Sequence, residues 1–118
     1  GFCNFLFKQQ NQGCIVENVV YVHLLRNAKP LAPEIFYWKN KYEVDFVIEN
    51  PEGEIMPIEV KYQNAINPED YKGLYSFFKH FKKVKCGIMV TKDKFETHKT
   101  TDGRTIRLVP LWLFLLSF

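Results

Sequence analysis

Apolar residues crowd the stretch "CIVENVVYVHLLR" (14–26) on nearly every side of a 3.6-residue period. It holds no Gly or Pro, which fits a helix buried against a sheet. Its β-branched residues also permit a strand. After the proline-bearing connection "NAKPLAPE", three runs alternate apolar and polar positions: 34–39, 42–49 and 54–62. The separators "NK" and "NPEG" are turn formers, so these runs predict an antiparallel meander of three strands. "NPEDYKGLYSFFKHFKK" then offers Asn67 as an N-cap, Pro68 at the first helical position, and Leu74, Phe77, Phe78 and Phe81 at helical spacing, with lysines on the other side. The continuous apolar run "VKCGIMVT" predicts a strand buried on both faces. "KDKFETHKTTDGR" reads as polar surface with an Asp102-Gly103 turn, and "TIRLVP" as a last strand before an apolar tail assigned to the core.

The pattern therefore predicts an α/β domain with element order αβββαβ, a mixed sheet flanked by helices, and one addition at the end. At 118 residues, with 47% hydrophobic and 16% aromatic side chains, the chain has the composition of one well-packed globular domain. The net charge of +3 permits a nucleic-acid partner without requiring one. Three cysteines without C-x-x-C spacing point away from a disulfide framework or a zinc site and toward a reducing, cytoplasmic setting. No apolar run approaches the roughly 20 residues that span a bilayer, so no membrane partner is expected. The chain opens on Gly1 rather than Met and is read as a piece of a longer polypeptide.

Charges stand where the pattern calls for burial. Alternation puts Glu59 and Lys61 on one face of the third strand and Glu43, Asp45 and Val47 on one face of the second. Asp45 meets Glu59 if the hairpin register pairs 47 with 57 and 49 with 55, a register that places Pro57 inside the sheet. Two adjoining carboxylates repel unless a proton or a cation intervenes, and Mg²⁺ needs only one or two carboxylates beside water and phosphate. Lys61 on the same face suits an attacking water or a phosphate oxygen, which together outline a phosphodiesterase site. Glu17 shares a helical stripe with Val20, Tyr21 and Leu24 and offers a further carboxylate if the first helix covers that face. The competing readings are a solvated E-x-K pair, or a core ion pair of Glu17 or Glu59 with Lys61. Lys39, Lys41, Lys72, Lys79, Lys82, Lys83 and Lys85 are either phosphate contacts or a soluble face, and Gln63 is a further weak candidate for orienting water or phosphate.

The segments "ENVVY", "EVDFVI" and "PIEVKY", in this order, resemble the PD-(D/E)XK nuclease superfamily, whose fold is restriction-endonuclease-like, over about residues 13–91. More narrowly, the chain is similar to a domain of unknown function that follows the ATPase domain in a family of prokaryotic AAA+ ATPases. The resemblance implies Glu17, Asp45 and Glu59 as metal-binding acids, the carbonyl of Val60 as a further ligand and Lys61 as the catalytic lysine. It implies Mg²⁺ or Mn²⁺ as cofactor, DNA as substrate and an upstream ATPase domain as partner. The superfamily's proline beside the aspartate is Val44 here, and no Walker A pattern occurs, so no ATP site is expected within these residues. A catalytically idle module of the same fold, docking an ATPase onto DNA or another protein, is the alternative.

Overall fold

The computed structural model describes residues 12–27, 34–39, 43–49 and 52–117. One six-stranded sheet carries the chain in the order β1-β2-β3-β4-β6-β5. Strands β1 (Glu34–Lys39), β2 (Glu43–Glu49) and β3 (Ile55–Lys61) form the expected antiparallel meander. A crossover through a 3-10 turn (Pro68–Tyr71) and helix α2 (Lys72–His80) returns the chain to β4 (Cys86–Thr91), parallel to β3. Strands β5 (Glu96–Lys99) and β6 (Thr105–Pro110) pair as a hairpin, with β6 parallel to β4. Helices α1 (Gln12–Asn27) and α3 (Leu111–Ser117) precede and follow the sheet.

Alternation along the strands divides the core in two. Leu74, Phe77 and Phe78 of α2 pack with Val44, Val47, Met89, Ile106 and Leu108 on one face. Val16, Val20 and Leu24 of α1 pack with Phe46, Ile58, Ile88, Val90 and Phe114 on the other. The helical reading of 14–26 therefore holds, because the stripe 16-20-24 finds a sheet to lie on. Pro57 sits in the sheet opposite Val47, and its ring is accommodated because position 87 is Gly. A Cβ there would lie 3.1 Å from the proline ring and 3.3 Å from Leu74.

Three expectations change. The helix 67–83 is shorter, a 3-10 turn followed by α2, which ends at His80. The segment 92–104 is not mere surface, since 96–99 forms β5. It pairs across the Asp102-Gly103 turn with Gly103 at φ +85°, where only glycine is unstrained. A four-residue strand on the sheet edge has no buried face to give it an apolar signal. The apolar tail is core only in part: Phe114 is buried and Leu111 and Leu115 pack against the same cluster, whereas Trp112 and Leu116 are exposed.

Candidate active site at the carboxyl end of the parallel strands

The β1–β2 ladder slips in the middle of β2. Phe36 lies opposite Val47 and Trp38 opposite Val44, so β2 carries one residue more than β1 across this interval. Such a bulge re-aims side chains. Val44 and Val47 consequently both join the α2-side core while Phe46 faces α1. Strict alternation, which would align Glu43, Asp45 and Val47, is broken there. The β2–β3 ladder ends at Phe46 opposite Ile58, in the register that a meeting of Asp45 with Glu59 requires. Just beyond its end the Asp45 carboxylate takes over the role of backbone, its Oδ2 accepting the Val60 N–H at 2.7 Å.

Glu59, next to Val60, is hydrogen-bonded through its side chain to Asp45. Asp45 is 7% exposed and Glu59 6%. Burial, then the hydrogen bond and the charge of Asp45, push the Glu59 carboxyl from 4.5 up to about 10, with Lys61 pulling the other way. The pair therefore holds a proton at neutral pH in the hydrogen bond between its two carboxyls. Apart from this pair, the buried polar residue among the described ones is Thr91. Its hydroxyl is fully employed, donating to the carbonyls of Lys94 and Val109 and accepting the Lys94 N–H. Thr91 is thus accounted for by backbone contacts, whereas Glu59 is buried against another acid.

Lys61 lies beside Thr91 of β4, at the carboxyl end of the parallel strands, and is half-buried. Lys92 shares that end, its ammonium 5.9 Å from the centre of the Tyr62 ring. Sequence reasoning passed over Lys92. Its signal was its place directly after a buried strand, where open α/β sheets gather ligands.

Other candidates go elsewhere. Glu17 lies on α1 with its Oε1 oxygen buried. However, α1 covers the face of Phe46, Ile58 and Val60, and among the described residues no three His, Cys, Asp or Glu side chains cluster closely enough to hold a metal ion. Glu17 therefore does not complete a triad with Asp45 and Glu59. The Gln63 amide spends both hydrogens on Asp70 Oδ2 (2.7 Å) and the Ala65 carbonyl (3.0 Å), and Asp70 also accepts the Asn67 N–H. It fastens the approach to α2 and has no donor left for phosphate. Lys72 is exposed and paired with Glu69 at 3.8 Å. Lys79, Lys82, Lys83 and Lys85 are exposed where α2 ends and β4 begins. Met89 sits beside Glu59, so Lys85 is about 13 Å back along β4 from the acid pair. The side chains of Lys39 and Glu43, and Lys41 altogether, lie outside the described residues.

A family model describing a domain of unknown function, DUF4143, matches residues 12–114. The chain belongs to the DUF4143 family. This DUF4143 domain is 29% identical over 124 residues to an uncharacterized protein, MJ1544, of Methanocaldococcus jannaschii, across 100% of this chain and 28% of that protein. Its fold is similar to that of a chain in the refined half-complex from the tetradecameric assembly of Thermococcus gammatolerans McrB AAA+ hexamers with bound McrC. The TM-score is 0.64 at 10% identity, covering 85% of this chain and 28% of that one. The DUF4143 domain thus spans little more than a quarter of both. No helix among its described residues is long and apolar enough to cross a membrane.

Proposed function

We propose that this domain is a Mg²⁺- or Mn²⁺-dependent nuclease module acting on DNA phosphodiester bonds, within or beside a AAA+ ATPase. The observation that carries the reading is the enclosed Asp45–Glu59 pair at the end of the β2–β3 ladder, with Lys61 two residues on. The donor set suits a hard cation: two carboxylates and the Val60 carbonyl are all oxygen, and Mg²⁺ takes its remaining ligands from water and phosphate. A divalent cation bound there supplies charge neutralisation and Lewis acidity toward a phosphoryl oxygen.

The chain's own residues do the rest. Asp45 is held by the Val60 N–H and by Glu59, so its carboxylate is oriented before any cation arrives. Glu59 has to give up its proton before it acts as a ligand, so loading is coupled to proton release. Lys61 presents an ammonium to a phosphate oxygen or an attacking water, while burial keeps the local dielectric low. Support for the ATPase association comes from the complex containing McrB AAA+ hexamers, one of whose chains shares this fold, and from the sequence resemblance.

One observation favours the second reading, an idle docking module: among the described residues the acids number two at the site, not three. Calorimetric titration with Mn²⁺ and Mg²⁺, beside the Asp45→Ala variant and followed by plasmid cleavage, separates the two. Saturable binding and cleavage that both vanish in the variant are the expected result. A folded wild-type domain that neither binds metal in the presence of DNA nor cleaves would make it the idle module.

A further inference from the structure

Helix α1 is apolar on two sides and spends only one on the sheet. Opposite the buried stripe of Val16, Val20 and Leu24 run Ile15, Val19, Val22 and Leu25, each between 39% and 48% exposed. Ile15, Val19 and Val22 recur at helical spacing and, with Leu115 of α3, border an open trough of about 510 Å³. Its polar edge is Asn18, His23 and Arg26, and among the described residues no acidic side chain lines it. A helix apolar all round is ordinarily enclosed, and a continuous apolar patch with a polar rim marks a surface that binds protein.

We propose that this trough docks an amphipathic helix from outside residues 12–117, one with apolar side chains at i, i+4 and i+7 and a carboxylate one turn further on, set against Arg26. The reading is independent of the acid pair. Shape supplies the first half of the match, because a helix-lined trough accepts a partner helix by its apolar stripe. Charge supplies the second, since a guanidinium beside a desolvated groove selects a carboxylate over an ammonium. A second copy of the chain is the poorer occupant. Helix α1 has no acid in its first turn, so antiparallel self-pairing leaves Arg26 without a carboxylate, and parallel pairing sets Arg26 against Arg26.

The test uses a fluorescein-labelled synthetic helical peptide with Leu at i, i+4 and i+7 and Glu four residues on, and its twin with Lys in place of that Glu. Anisotropy is read against the 118-residue chain and its Val22→Lys and Arg26→Glu variants. We expect saturable binding of the Glu peptide, about fivefold weaker binding of the Lys peptide, loss of both in Val22→Lys, and inverted preference in Arg26→Glu. Both substitutions are at exposed positions, and far-UV dichroism checks that the variants fold. Three results overturn the proposal: no saturable binding; equal binding of both peptides by wild type and Arg26→Glu, which is unselective apolar adhesion; or a wild-type dimer in sedimentation that Val22→Lys dissociates, which makes a second copy the occupant.

Discussion

The two ends of β3 and β4 both carry charge and use it in opposite ways. At the carboxyl end, Asp45 and Glu59 are enclosed and linked, and the pair holds a proton at neutral pH. At the amino end, Lys79, Lys82, Lys83 and Lys85 stand in solvent. Arg104 there has fixed backbone partners. Its guanidinium donates to the carbonyls of Phe78 (2.6 Å), Phe81 (3.4 Å) and Lys82 (3.1 Å) and lies over the Phe78 ring. It closes the carbonyl end of α2, where the helix dipole favours positive charge. The number of charges is thus a poor guide to chemistry. Enclosure of two acids against each other makes one end the candidate site, and enclosure of a cation among backbone carbonyls makes the other a clamp.

The comparison breaks most decisively if Asp45 proves dispensable. Asp45→Ala removes the carboxylate locked onto the Val60 N–H and leaves Glu59 without its hydrogen-bond partner. We expect metal-dependent nicking of supercoiled plasmid to fall by at least about 100-fold, the scale of losing a preorganised electrostatic group, with the far-UV dichroism of the fold retained. Undiminished nicking by the variant would remove the carboxyl end from the chemistry.

Arg104→Ala sharpens the contrast from the other side. Three carbonyls lose a charged donor, so we expect a loss of about 2–3 kcal/mol, seen as a melting temperature lower by roughly 8–15 °C. Mn²⁺ affinity at 20 °C should be unchanged. A variant that melts normally would show the clamp to be ornamental, and one that loses metal binding while still folded would couple the two ends.

The pH dependence follows from the Glu59 proton. A carboxyl whose folded pKa is raised from 4.5 to about 10 binds its proton more tightly when folded. Its contribution to stability is complete below about pH 4.5 and is lost as the pH rises toward 10. Without divalent cation, the melting temperature should therefore fall steadily from pH 5 to pH 9. Glu59→Gln, which cannot ionise, should flatten that slope. A wild-type profile already flat across this window would mean that Glu59 is ionised and the pair differently arranged.

The meander, the β3–α2–β4 crossover and the hairpin register were legible because each rests on a local signal: alternation, a turn pair, or four apolar residues at helical spacing. The meeting of Asp45 with Glu59 followed from that register and needed only the 47–57 and 49–55 pairings. The bulge in β2 was not legible, since one extra residue in a strand of valines leaves no mark on composition. Strand β5 was missed because an edge strand of polar residues has the sequence of a loop. The role of Gln63 was misjudged because face alternation says where a side chain starts and nothing about Asp70, seven residues ahead, which captures it. The lysines were grouped by abundance, and only the antiparallel run of α2 against β3 and β4 shows that most of them arrive at the end remote from the acids.

The smallest expected effect concerns those lysines. Exposed substitutions without fixed partners change stability by no more than about 0.5 kcal/mol, so Lys82→Ala with Lys83→Ala should melt like wild type. The sharper readout is DNA affinity against salt, where each phosphate contact contributes about 0.9 to the slope of log K on log salt. If DNA lies across the carboxyl end, the double variant should lower the slope by less than one such contact. Lys92→Ala, beside Tyr62, should lower it by about one. A double variant that lowers it by nearly two would place the backbone along the lysine end. The domain would then grip DNA about 13 Å or more, along β4, from the carboxylates, and the two ends would be parts of one binding track instead of a site and a clamp.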